Sequence, residues 1–197
     1  TIRLGRRTER RSPAISDFVP LQPLEGLVFG AWDCFADDAY QAARKAGVLE
    51  PALLDEVRHE LQAVRPWTAV FDRNCVRRLD GTHVKAGTNK RDLAEQVRSD
   101  IRRFMREHTL DRAVMIWCAS TETYADTTDA HLTPEAFERA LDESDPAIAP
   151  SMIYAYAAIT EGIPFANAAP NLCAYVPALL ALASQHHVPL AGKDLKT

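Results

Sequence analysis

With 197 residues, 47% apolar and 25% charged side chains, the chain can bury a core and has the composition of an ordinary globular protein. A net charge of -4 argues against nucleic acid bound over the whole surface, and no apolar run is long enough to span a membrane. Cys34, Cys75, Cys118 and Cys173 form no C-x-x-C pair, so they fit neither a zinc site nor a disulfide framework and point to a reducing, cytoplasmic compartment.

The opening TIRLGRRTERRS carries Arg3, Arg6, Arg7, Arg10 and Arg11, which read as an anion patch or as a solvated arm. ISDFVPLQPLEG is proline-spaced and reads as an irregular connection. GLVFGAWD is a short apolar run rich in strand formers, and it predicts a strand ending at Asp33. An acid just past such a strand can hold a ribose hydroxyl in dinucleotide-binding folds, or it can cap the helix that follows. That helix is predicted over DCFADDAYQAARKAG, with Gly47 as its stop.

EPALLDEVRHELQAV places Leu53, Leu54, Val57, Leu61 and Val64 on one face behind Pro51, which predicts one amphipathic helix. TNKRDLAEQVRSDIRRFMREHTL predicts a second, longer one with Leu93, Val97, Ile101, Phe104 and Met105 inward. DRAVMIWCAST follows with an unbroken apolar stretch from Ala113 to Cys118, expected to be a fully buried strand. Ser120 and Thr121 sit just past it, where parallel sheets bind ligands.

LTPEAFERALDE predicts a helix with Thr133 as N-cap and Pro134 in its first turn. APSMIYAYAAITEG predicts another, ending on Gly162, with Ser151 near its start as a cap or an anion contact. IPFANAAPN is a brief strand broken by Asn167, Pro170 and Asn171; CAYVPALLALASQH is a helix, and VPLAG is the final strand. His186 and His187 are adjacent and make a poor metal pair, and no metal site is expected. Alternating strands and helices imply an α/β fold with a Rossmann-like, doubly wound, mainly parallel sheet. No G-x-G-x-x-G occurs, so either the sheet binds no dinucleotide or its first unit lies before Thr1.

GAWD after one strand, VMIWCASTET after another, then APSMIYAYAAITEGIPFANAAPN and GKDLKT form an ordered set. The set resembles the successive motifs of the myo-inositol-1-phosphate synthase family, and TIRLG resembles the segment after that family's glycine-rich first unit. The resemblance covers essentially all 197 residues. It implies a partial NAD-binding domain over residues 1–197, with residues 192–197 opening a catalytic segment that leads to a tetramerisation domain. The chain is accordingly expected to be an internal fragment.

The implied reaction converts glucose 6-phosphate to inositol phosphate by oxidation at C5, enolisation at C6, ring closure onto C1 and re-reduction. The implied partners are NAD and a sugar phosphate, with a homotetramer in the full-length protein. Carried over residue by residue, Asp33, Cys118, Ala119, Ser120, Thr121, Asn167 and Asp194 are cofactor-side, while Ser151, Asn167 and Lys196 are substrate-side. Asp194 and Lys196 are the implied catalytic pair. For several of these the residues alone leave a plainer alternative open. Thr121 reads equally as a capping threonine in a turn, Asn167 as a turn former, and Asp194 with Lys196 as a solvated loop. Thr123, Ala168, Ala169 and Lys193 depart from the family's commoner residues and suggest a bacterial branch. A dehydrogenase or cyclase for another sugar phosphate, and a non-catalytic nucleotide-binding module, are the competing readings.

Overall fold

A computed structural model describes residues 14–193, so the arginine arm, Asp194 and Lys196 lie outside the described residues. Its centre is a helix with almost no polar face. IYAYAAI offers only aliphatic and aromatic side chains, and in α6 (Pro150–Thr160) every residue from Pro150 to Ile159 is buried. A helix apolar all round is stable only when other elements cover every side. Here α4 (Lys90–Glu107) covers one side with Ala94, Val97 and Ile101, and α7 (Pro177–Gln185) covers another with Leu179 and Leu182. The strands β3 (Met115–Trp117) and β4 (Phe165–Asn167) supply a third.

Two parallel sheets flank this helix among the described residues. β3, β4 and β5 (Leu190–Gly192) pair in that order, with Met115, Phe165 and Leu190 in register at one end and Trp117, Asn167 and Gly192 at the other. β1 (Trp32–Asp33) pairs with β2 (Trp67–Thr68). Every pairing among them is parallel, as the alternation of strands and helices requires. No helix of the described residues is long and apolar enough to cross a membrane.

Local punctuation lands where the residue types place it. Asn89 caps α4 by accepting from the Asp92 N–H at 2.8 Å, and Thr133 caps α5 (Pro134–Asp142) by accepting from Ala136 at 3.2 Å. Pro51, Pro134, Pro150 and Pro177 each open a helix, and Gly47 ends α1 (Ala39–Ala46) at φ 64°. Gly192, at φ 122°, lies so close to β4 that an added Cβ would clash with the Asn167 carbonyl oxygen.

Three expectations are corrected. The strand expected over GLVFGAWD is reduced to Trp32–Asp33, and Val28 and Phe29 are exposed, because only these two residues meet β2. The single helix expected behind Pro51 is two, α2 (Pro51–Glu56) and α3 (Arg58–Ala63), broken at Val57 (φ −112°, ψ 24°). Of its anticipated stripe only Leu54 is buried, so little tertiary packing holds the two turns in line. β3 buries one face only: Met115 points inward, while Val114 and Ile116 are exposed at 64% and 56%.

The sheets are joined through Tyr154 of α6. Its ring meets Trp32 of β1 at 5.4 Å and Trp117 of β3 at 5.5 Å, and its hydroxyl accepts from the Val70 N–H at 2.9 Å. Asp100 of α4 makes a second joint. It accepts from Trp32 Nε1 (2.9 Å), from the nearly buried Lys85 ammonium (2.6 Å) and from Arg103 (3.1 Å).

Candidate functional site

The C-terminal ends of β1, β3 and β4 carry most of the residues singled out in the sequence. Asp33 is exposed at the end of β1, and its Oδ1 accepts from the Phe35 N–H at 2.9 Å. It does not cap α1. That role belongs to Asp38, which accepts from Gln41 N–H at 2.9 Å while Gln41 Oε1 accepts in return at 3.1 Å. The helix-cap alternative for Asp33 is therefore removed.

Cys118, Ala119, Ser120 and Thr121 form an exposed loop after β3. The next residue turns inward. Glu122 is 4% exposed, and three donors converge on its carboxylate. The Ser151 N–H donates to Oε1 at 2.9 Å, while the Ser151 hydroxyl and Asn171 Nδ2 (2.8 Å) both donate to Oε2. Burial pushes the Glu122 carboxyl above its ordinary range, against the opposing pull of these donors. The physical origin lies in α6, whose start, Ala149-Pro150, offers no side-chain oxygen to its own first N–H groups. A carboxylate brought from 29 residues upstream satisfies one of them and sits at the positive end of the helix.

Ser151 is thus fully buried with its hydroxyl given to Glu122, and it lies one residue inside the helix rather than at the cap. Asn167 is fully buried as well. Its Nδ2 donates to the Asn171 carbonyl at 2.9 Å and its Oδ1 accepts from Ala169 at 3.0 Å, so it shapes the 168–171 turn. Asn171 also donates to Ser151 Oγ at 3.2 Å, while its Oδ1 is buried without a partner among the described residues. A pocket of about 20 Å³, room for one water, lies beside this network between Glu122, Tyr124, Met152, Asn171 and Cys173. The Cys173 thiol donates to the Ser151 carbonyl at 3.5 Å, and burial pushes it up to about 12, which makes it a packing residue and not a nucleophile. Thr123, just beyond Glu122, is tied to the Cys75 carbonyl through both its N–H (2.7 Å) and its hydroxyl (3.0 Å).

The structure therefore brings Ser151 and Asn167 into one buried network beneath the exposed 118–121 loop, and it places Asp33 on the neighbouring sheet. Glu122 and Asn171 complete that network, and neither was among the residues assigned from the sequence. The available signal was a helix start without a cap, which needs an acceptor from elsewhere. No group of metal-ligating side chains occurs among the described residues.

A family model for the NAD-binding domain described as myo-inositol-1-phosphate synthase matches residues 1–197. The chain belongs to the myo-inositol-1-phosphate synthase family. An inositol-3-phosphate synthase of Bacteroides thetaiotaomicron is 44% identical over the whole chain and 46% of its own length. One from Oryza sativa subsp. japonica is 31% identical, again over the whole chain and 39% of its own length. The crystal structure of inositol-3-phosphate synthase from Caenorhabditis elegans superposes with a TM-score of 0.87 at 30% identity, over 92% of this chain and 36% of that one. The chain spans less than half the length of these relatives.

The synthase-family domain is an NAD-binding one, and its residues fit part of that group. Asp33 presents an exposed carboxylate at a parallel strand end, as a ribose diol needs. The exposed loop after β3 leaves further polar groups at the end of the neighbouring sheet. No glycine-rich phosphate turn is present in the 197 residues, so the fit is to the nucleoside and strand-end portions.

Proposed function

We propose that this chain contributes the cofactor-side half of an inositol-3-phosphate synthase acting on glucose 6-phosphate. The observation that carries the reading is the layered strand edge: an exposed loop, Cys118–Thr121, held from below by the buried Glu122–Ser151–Asn171 network. NAD, when bound, accepts a hydride from the substrate and later returns it. In this reading Asp33 fixes the adenosine ribose and the 118–121 loop lies along the cofactor. Ser151 and Asn167 hold the wall of the cleft on the substrate side. Because their polar atoms are already engaged, their contribution is to fix the wall's shape. Lys196 carries the positive charge needed beside the enolate oxygen, where an ammonium stabilises developing negative charge, and Asp194 stands on the cofactor side. The full-length protein is read as a cytoplasmic homotetramer, with residues 192–197 leading into its second domain.

The test is an assay of the full-length protein with NAD and glucose 6-phosphate. Inositol phosphate should appear with no net NADH. Steady accumulation of NADH would identify a plain dehydrogenase and overturn the reading, and NAD binding without turnover would favour a non-catalytic module.

A further inference from the structure

The loop that follows β2 folds back onto the end of β1. Thr82 and His83 N–H groups both donate to the Cys34 carbonyl, at 3.0 and 2.9 Å, and Gly81 packs so tightly that an added Cβ would meet Cys34 Cβ at 2.8 Å. On its other side the same loop pairs with Ala69. The Ala69 N–H donates to the His83 carbonyl at 3.1 Å, and the Lys85 N–H donates to the Ala69 carbonyl at 2.8 Å. His83 is thus held from both sides by backbone hydrogen bonds.

Its ring lies against the backbone of Asp33 at the strand end. Nδ1 is 3.1 Å from the Asp33 carbonyl oxygen. A carbonyl only accepts, so Nδ1 carries the hydrogen, and in the neutral ring Nε2 is left as an acceptor. The other constrained histidine has the opposite tautomer: His131 Nδ1 accepts from the Thr128 N–H at 2.9 Å, and its Nε2 donates to the Ala147 carbonyl at 3.1 Å. His131 is fully buried with both nitrogens used, whereas Nε2 of the partly exposed His83 has no partner among the described residues.

A ribose presents two hydroxyl donors. Asp33 has Oδ1 committed to Phe35 and offers Oδ2. We propose that His83 is a second ribose-binding residue, accepting through Nε2 from a hydroxyl of the adenosine ribose that Asp33 holds. The inference rests on the reading of Asp33 as the ribose acid, and it adds a specificity-determining residue to that subsite.

Calorimetric titration of the full-length protein with NAD and with its adenosine 2′-deoxy and 3′-deoxy analogues tests it. His83→Asn keeps an N–H for the Asp33 carbonyl but lacks the Nε2 acceptor, so a purely structural role predicts wild-type binding. The proposal predicts NAD affinity lowered about tenfold, with discrimination against one of the two deoxy analogues lost. His83→Gln, which restores an acceptor further out, should recover part of the affinity. Wild-type NAD affinity in His83→Asn, or equal weakening of NAD and both analogues, would overturn the proposal. Asp33→Asn separates the two layers. If it weakens NAD while His83→Asn does not, only His83 is misassigned; if it leaves NAD binding unchanged, the ribose subsite itself is misplaced.

Discussion

α6 and the α1–α3 segment are both helical, yet they relate to the core in opposite ways. α6 lacks an amphipathic pattern and is buried along nearly its whole length. α1 and α3 contain no buried residue and α2 only Leu54, although α1 and the stretch behind Pro51 look more like conventional surface helices in the sequence. The difference is one of neighbours. α6 is wedged between two helices and a sheet, whereas the first helices pack mainly on each other and leave Val48, Leu49, Leu53 and Val57 open. Burial follows what stands opposite a helix, and a periodic apolar stripe records only that one face is available for it.

The largest effect is expected at the joint by which β1 and the Lys85 segment hang on α4. Asp100→Ala leaves the Lys85 ammonium, 6% exposed, without its carboxylate, and it also frees Trp32 Nε1. Breaking a buried pair from one side costs about 3–5 kcal/mol, so urea unfolding should show a loss of that size, with the β1–β2 region loosening before α6. A loss under about 1 kcal/mol would mean that the joint is well hydrated.

A smaller effect is expected at the start of α6. Burial raises the Glu122 pKa in the fold above its ordinary value near 4.5. The folded state therefore holds the proton more tightly than the unfolded chain. This group's contribution is complete below pH 4.5 and is lost as pH rises through the folded value. Gln at this position has no proton to lose, although its amide meets donors and forfeits a hydrogen bond. The thermal midpoint of Glu122→Gln minus that of the wild type should rise with pH above 4.5, and a flat difference would refute the burial argument. The smallest effect belongs to the open face: Val48→Lys, at a site 82% exposed, should stay within about 0.5 kcal/mol of the wild type.

Much of the fold was legible because helix ends are written locally. Thr133-Pro134, Pro51 and Gly47 each act within a turn of their own position, and each marks a boundary in the structure. The break at Val57 and the exposure of Val114 and Ile116 were not legible, since both depend on whether another element covers that face. The family and its NAD-binding character were legible from an ordered set of motifs. Within the site, Asp33 and the 118–121 loop fall at strand ends as expected. Glu122 was missed because its partners are 29 and 49 residues away in sequence, a pairing that only the folded chain creates.

The hydroxyl of Tyr154 has one more consequence. The Val70 amide has that phenolic oxygen, 84 residues away, as its acceptor, and not a neighbouring strand. Its proton cannot exchange with solvent until α6 and the segment after β2 part company. That single amide therefore acts as a reporter of inter-sheet separation, distinct from the fraying of either sheet.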